Sequence, residues 1–437
     1  MKKIIALLMI GLVAITSIFA SGSSESESDD GTITLTGYMQ IDPANPAYAG
    51  HNAVVEAFEA KYPNIKLDIE YATGEAFHQK FQAMAASKKI PDIFTCYGGA
   101  RTAYIQDPGL VLDLNDTDYL TDEFKSQFKP ITFKAQGENG ELWMIPPTLA
   151  VCHVVYANRA ILDELGLDYP KTFEEMIAQV PVIKEAGYYP ISMGNKDQWV
   201  VNSWLLSLLV DRVGGPEWFM DAAQGKNGAK FTDPEFVKTL EIIKTMCEED
   251  LFSPGVNQMG NGEADQEFYQ GKSVYLIDAG WRSGGMDSQL SEEFNKNIEM
   301  HVFPAISGEV RSNTSTAVTG EGFGIAKAIE GTAKADAAWK FISFYTGKEG
   351  AEIFAQYGDI PTYNVDFSEI EMGIMQKKYA QFQEDHEMGY VFDSIMNGEG
   401  VSLLNANIQA MMMGNGDPEE IAAQYEKWVA QNDTNRE

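Results

Sequence analysis

IKLDIEYATGEAFHQKFQAMAASKKIPDIFTCY, Ile65 to Tyr97, holds two strand signatures with a helix between them. Ile65 to Tyr71 alternates apolar and polar residues with period two, as a half-buried strand does. Glu75 to Ser87 instead puts Phe77, Phe81, Met84 and Ala85 on one helical stripe, and Pro91-Asp92 then leads into the short strand IFTCY. Upstream, TITLTGY (Thr32 to Tyr38) is another alternating, β-branched strand, and Asn52 to Lys61 carries Val54, Val55 and Phe58 at helical spacing. A βαβαβ succession implies a parallel or mixed sheet covered by helices.

The same grammar continues downstream. Thr172 and Glu175 have capping-box spacing, and Asp233-Pro234 and Asp417-Pro418 each set an acidic cap before a first-turn proline. Helices are predicted over Phe236 to Glu248, Ala335 to Tyr345 and Glu419 to Val429. With 437 residues, two α/β lobes are the economical arrangement.

The 44% hydrophobic and 22% charged content is that of a globular chain, but the formal charge of −32 repels nucleic acid and anionic lipid. Lys2 and Lys3, the apolar run Ile4 to Ile15 and the small residues before Gly22 form a signal peptide, so the chain is read as exported. The run is too short for a comfortable membrane span. Ser21 to Gly31, SGSSESESDDG, is an acidic tether. Cys96, Cys152 and Cys247 show no C-x-x-C spacing and are read as buried free thiols or one incidental disulfide.

Nucleophile elbows, Walker loops, H-E-x-x-H and strand-linked G-x-G-x-x-G are all absent, and the five histidines lack ligand spacing, so no cofactor and no metal is expected. What the sequence offers instead is aromatic and polar residues beside glycines at strand ends. Tyr97 to Arg101 follows IFTC, Asn195 to Trp199 follows a strand around Tyr189 to Met193, Trp281-Arg282 follows VYLID, and Glu321-Gly322 precedes FGIAKAI. In open α/β sheets ligands collect beyond the carboxyl ends of the strands. An aromatic ring packs on the apolar face of a pyranose while Asp, Glu, Asn and Arg take its hydroxyls. Trp281 and Trp199 are equally readable as stacking surfaces or as core, Tyr38 as core or cleft, Arg101 as ligand contact or surface ion pair, and Glu75 as ligand contact or favourable charge at a helix start.

AFEAKYPNIKLDIEY, KIPDIFTCYGG, GELWMIPPTLAVCHVVYANRAILDELGLDYPKTFEEM, FYQGKSVYLIDAGW and TGEGFGIAKAIEGTAKADAAWKFISFYTGKEGAEIFAQYGDIP occur in an order and spacing that resemble the bacterial extracellular solute-binding proteins of sugar importers, the maltose- and oligosaccharide-binding group. The resemblance implies a periplasmic-binding-protein-like fold of two α/β lobes joined by hinge strands with the ligand between them. Residues 32–147 plus 320–361 would form the first lobe and 148–319 plus 362–437 the second, after a signal peptide at 1–22 and a tether at 23–31. It also implies that Trp281 and Tyr97 oppose each other across a sugar, with Trp199 a second stacking surface and Tyr38, Glu75, Arg101, Arg282 and Glu321 as further contacts. A membrane permease of the ATP-binding-cassette type is the implied partner, and the chain itself would be a monomer and not an enzyme. Many relatives carry a lipidated Cys after the leader; Ser21 stands here, so the protein is expected free in the periplasm or outside the cell. A polyamine or other non-sugar solute, and an exported carbohydrate-active enzyme, are the competing readings.

Overall fold

The computed structural model describes residues 31–44, 48–98, 102–106, 108–133, 136, 140–367 and 370–432. The signal peptide and nearly all of the tether lie outside the described residues. Among the described residues, eleven strands are numbered in chain order: β1 (Ile33–Met39), β2 (Ile65–Tyr71), β3 (Ile93–Cys96), β4 (Leu149–Val151), β5 (Val154–Asn158), β6 (Tyr189–Ser192), β7 (Ser273–Asp278), β8 (Ile298–His301), β9 (Thr314–Thr319), β10 (Gly322–Ile325) and β11 (Glu387–Gly389).

The opening βαβ segment folds as its periodicities require. β1 lies parallel to β2, from Ile33 opposite Ile65 to Met39 opposite Tyr71, and parallel to β3; β10 closes the other edge antiparallel to β3. The resulting order is β10-β3-β1-β2. Asp92, at the entry to β3, locks the sheet: one carboxylate oxygen accepts from the Thr36 amide at 2.8 Å and the Thr36 hydroxyl at 2.9 Å, and pairs with Lys334 at 2.8 Å. Helices Ala49–Lys61, Gly74–Ala86 and Ala333–Thr346 cover this sheet through Phe58, Phe77, Phe81 and Phe341, all fully buried.

A second sheet has the order β6-β7-β5-β8. Every residue of β7 is buried, because apolar clusters lie on both of its faces. That burial is why the strand reads as an unbroken apolar run rather than an alternating one. A third, short sheet, β11-β9-β4, lies where the chain passes between the two larger ones.

Three chain crossings meet at that place. Thr148 bridges Pro361, and Leu149 pairs with Thr319. The Leu149 amide donates to the Ile360 carbonyl at 3.0 Å, and Thr362 returns the link with its amide on the Pro147 carbonyl at 2.9 Å and its hydroxyl on the Pro146 carbonyl at 2.6 Å.

The helix ends show one correction. Asp417 caps its helix, its side chain accepting from the amides of Glu419 and Glu420, and Thr172 caps through the Glu175 amide. Asp233 does not cap: its carboxylate accepts from the Trp218 indole at 3.2 Å and the Lys230 amide at 2.9 Å, a tertiary demand that outcompetes the local one. The three cysteines are free thiols.

Gly280, just after β7, is fixed by space. A Cβ there would stand 2.0 Å from the ring of Tyr379, itself buried. Gly280→Ala should therefore destabilise the protein by about 1–3 kcal/mol in urea unfolding, the range for overpacking a filled core. Gly262→Ala, on a helix with nothing within 4 Å, should be neutral or slightly stabilising.

Candidate functional site

The end of β7 determines the site. The Tyr156 hydroxyl donates to the Ala279 carbonyl at 2.9 Å, and the Gly280 amide donates to the Val151 carbonyl at 2.9 Å. The chain leaves the sheet in one defined turn and enters the helix Arg282–Gln289 with Trp281 at its start. Trp281 is 43% exposed, one of the few large apolar side chains left open to solvent. An aromatic held so open by a rigid strand end is a ready stacking surface.

Trp281 is not isolated. Its ring centroid lies 6.3 Å from Trp204 at an interplanar angle of 60°, and Trp204 in turn meets half-buried Trp199 at 5.5 Å and 85°. The two tryptophans singled out from sequence are thus joined through a third that was not, buried at 1% exposure. Trp204 belongs to a π-helical turn, Val201–Leu206. Its carbonyl is bonded by Nδ1 of His153 at 2.8 Å; burial holds that imidazole down to about 3, so the ring is neutral at physiological pH. Polar groups gather at the same turn: the Ser203 hydroxyl donates to Asp393 at 2.5 Å and the Asn202 side-chain amide to the Asn405 side-chain oxygen at 2.8 Å.

On the β10-β3-β1-β2 side, Tyr97 follows β3 as expected and its hydroxyl donates to Gln40 at 2.9 Å. No described ring contact joins it to Trp281. Tyr38 is core: it is 1% exposed and stacked on Phe77 at 4.7 Å and 11°. Glu75's side chain and the whole of Arg101 lie outside the described residues. Arg282 is spent inside the protein, pairing with Asp278 at 2.7 Å and Asp265 at 3.0 Å. Both carboxyls are pushed up by burial, and although burial opposes the guanidinium's own charge, Asp278 and Asp265 hold it above its usual range. The β-strand pattern revealed Asp278 but not its partner Asp265, thirteen residues away on the helix Asn261–Tyr269.

Glu321 lies half-buried at the second of the three crossings, and Asp359 borders the third. Burial, then the charge of Glu321, raises the Asp359 carboxyl to about 7. Tyr48 and Tyr345 feel Glu321 as well, and Nδ1 of His51 lies 2.8 Å from the Tyr345 hydroxyl. The neighbourhood of the second and third crossings is therefore acidic and aromatic. An open depression of about 600 Å³ elsewhere, lined by Thr232, Pro234, Val237, Lys238, Glu241 and Glu419, gathers no aromatic ring. Among the described residues no group of three His, Cys, Asp or Glu side chains is arranged to hold a metal.

Two outcomes test this electrostatic layout. Arg282→Gln strands two buried carboxylates and should cost about 3–5 kcal/mol of stability, partly restored by Asp265→Asn in the same chain. Because the folded state holds the Asp359 proton more tightly than the unfolded chain does, the contribution of this group to stability is lost as pH rises from about 4 to about 7. Asp359→Asn should accordingly be more stable than wild type above pH 7 and indistinguishable below about pH 4, read from urea titrations across that range.

This architecture has known counterparts. A solved structure described as a chitin oligosaccharide binding protein superposes with a TM-score of 0.79 at 22% identity, over 92% of this chain and 99% of that one. An uncharacterized ABC transporter extracellular-binding protein of Pyrococcus horikoshii is 23% identical over 318 residues, 70% of each chain. The melibiose/raffinose/stachyose-binding protein of Bacillus subtilis is 21% identical over 316 residues, 70% of this chain and 68% of that one. No helix among the described residues is long and apolar enough to cross a membrane. The model of the bacterial extracellular solute-binding protein family matches residues 44–352, and the chain belongs to that family.

Proposed function

We propose that the protein captures a mono- or oligosaccharide between two lobes and hands it to the permease of an ABC-type importer. The observation that carries this reading is Trp281, a half-exposed indole at the end of a fully buried strand, backed by Trp204 and Trp199. Such a surface suits the apolar face of a pyranose, and the Glu321 and Asp359 carboxylates near the hinge suit its hydroxyls as donors. Two of the related proteins are named for oligosaccharide ligands, melibiose, raffinose and stachyose in one case and chitin oligosaccharide in the other.

The lobes in this reading are residues 32–147 with 320–361 and residues 148–319 with 362–437, behind a signal peptide at 1–22 and a tether at 23–31. Trp281, Trp199, Tyr97 and Glu321 are the ligand contacts we retain, with Arg101 and Glu75 as further candidates. The protein works as an exported monomer without a lipid at Ser21, and it binds its solute without transforming it. Closure at the three hinge crossings is the working step: contacts from both lobes stabilise a closed state that the free protein already samples.

One observation favours a second ligand class. Burial and then the charge of Glu321 raise the Asp359 carboxyl, and among the described residues no cation lowers it. A polyamine would supply that cation, and carboxylates with aromatics suit it.

Thermal-shift and calorimetric titration against oligosaccharides and polyamines, with the ligand recovered and checked for breakdown, separates these readings. A neutral oligosaccharide recovered intact is the expected result; a shift with polyamines alone, or any cleavage, would overturn it. Trp281→Ala should weaken binding about tenfold or more, some 1.4 kcal/mol. The melting temperature of the free protein should hardly change, since the ring is half in water.

A further inference from the structure

Trp281 opens the short helix Arg282–Gln289, and a second helix, Ile374–Asp385, fastens the chain on both sides of it. Ahead of Trp281, Gly280 lies under the ring of Tyr379, whose hydroxyl accepts from the Val151 amide at 3.3 Å. Beyond it, in the last turn of the short helix, Asp287 reaches the start of that same second helix. Its Oδ1 accepts from the Met375 amide at 3.0 Å and from the Asn295 side-chain amide at 3.1 Å, and its Oδ2 accepts from the Gln376 amide at 3.0 Å.

Gly373 is the reason for this reach. The residue at the cap position of Ile374–Asp385 is a glycine, which has no side chain to receive the first free amides of the helix. Asp287 receives them from another helix, and the glycine leaves it room: a Cβ on Gly373 would lie 2.1 Å from Asp287 Oδ2. The Gly373 amide is taken in turn by Oε1 of Gln376 at 2.7 Å. Further along, the Lys378 ammonium donates to the carbonyls of Asn295, Lys296 and Ile298 at 2.9, 3.1 and 2.5 Å, which ties the next short helix, Glu292–Lys296, to the same support. Six residues separate Trp281 from Asp287. At 3.6 residues per turn this puts the carboxylate roughly 120° around the helix axis and about 9 Å along it from the residue that bears the indole. The fastened face is therefore not the face that carries Trp281.

We propose that Asp287 is a positioning residue of the sugar site: by capping Ile374–Asp385 from outside, it fixes the tilt of the helix that Trp281 opens, and so the angle at which the indole meets a ligand. Asp287 acts through that helix and makes no contact with the indole itself. The effect on binding rests on the carbohydrate reading above, whereas the placement of the indole does not. In the sequence, GGMDSQ shows only a carboxylate among small and polar residues, because its amide partners come 88 and 89 residues later.

The test compares wild type, Asp287→Ala, Asp287→Asn and Asp417→Ala, the last removing a cap from the helix Pro418–Asn432 as a control for stability alone. Fluorine NMR of protein labelled with fluorotryptophan, without ligand, reads the indole directly, the Trp281 resonance being the one lost in Trp281→Phe. Asp287→Ala should shift or broaden that resonance and Asp417→Ala should leave it in place, while asparagine, which caps about as well as aspartate, should keep it near its wild-type position. Isothermal titration with chitotetraose, xylotetraose, maltotetraose and raffinose reads the consequence for binding. For the probe that binds wild type, Asp287→Ala should raise Kd about threefold to tenfold, but less than about twofold when Trp281 is already alanine, as coupled residues do. A Trp281 resonance unmoved in Asp287→Ala, or moved as far in Asp417→Ala, overturns the proposal and leaves the carbohydrate site standing. An equal loss of affinity with and without Trp281 also overturns it, because Asp287 would then act on the fold at large. If none of the four probes binds wild type, the carbohydrate reading falls, and the fluorine resonance alone decides whether Asp287 places the indole.

Discussion

The molecule depends on a small knot of main-chain hydrogen bonds where the polypeptide passes three times between its large sheets. Thr148 bridges Pro361, Leu149 pairs with Thr319, and Thr362 reaches back to the carbonyls of Pro146 and Pro147. Apart from the Thr362 hydroxyl on the Pro146 carbonyl, these links run between backbones, and they fix which stretch of chain lies beside which. Two of the acidic residues near it take their place from this knot: Glu321 leaves the second crossing and Asp359 precedes the third.

Much of this could be read from the chain. Period-two alternation located β1 and β2 and the unbroken apolar run located β7, while Trp281, equally readable from sequence as core or as an open stacking surface, is 43% exposed. Most of the misses share one cause, a partner distant in sequence. Tyr38 looks the same in sequence whether it faces a cleft or stacks on Phe77, and helix Gly74–Ala86 decides the matter. Arg282 offered a cation at a strand end, and Asp265 on another helix consumed it. Asp233 has every local feature of a cap and is drawn away by the Trp218 indole. Trp204 was hidden inside a run of apolar residues, and no periodic signal marks a π-turn.

The strongly acidic composition acquires a location. Several arginines are consumed in buried pairs: Arg212 with Glu309 at 2.6 Å, Arg311 with Asp211 at 2.5 Å, and Arg282 with two aspartates. These cations offset part of the cost of burying the aspartates they pair with, whose carboxyls burial still pushes up. Among the described residues no cation offsets the burial of Asp359 beside Glu321, so the surroundings of the third crossing are acidic.

The tryptophan trio also has an optical consequence. Indoles at 5.5 and 6.3 Å, crossed at 85° and 60°, are close enough for their electronic transitions to couple, and one of the three is half in water. Excitation of buried Trp204 can migrate to Trp281, whose emission colour follows the polarity around it. The fold thus contains a dye pair whose spectrum depends on whether solvent or solute covers one indole.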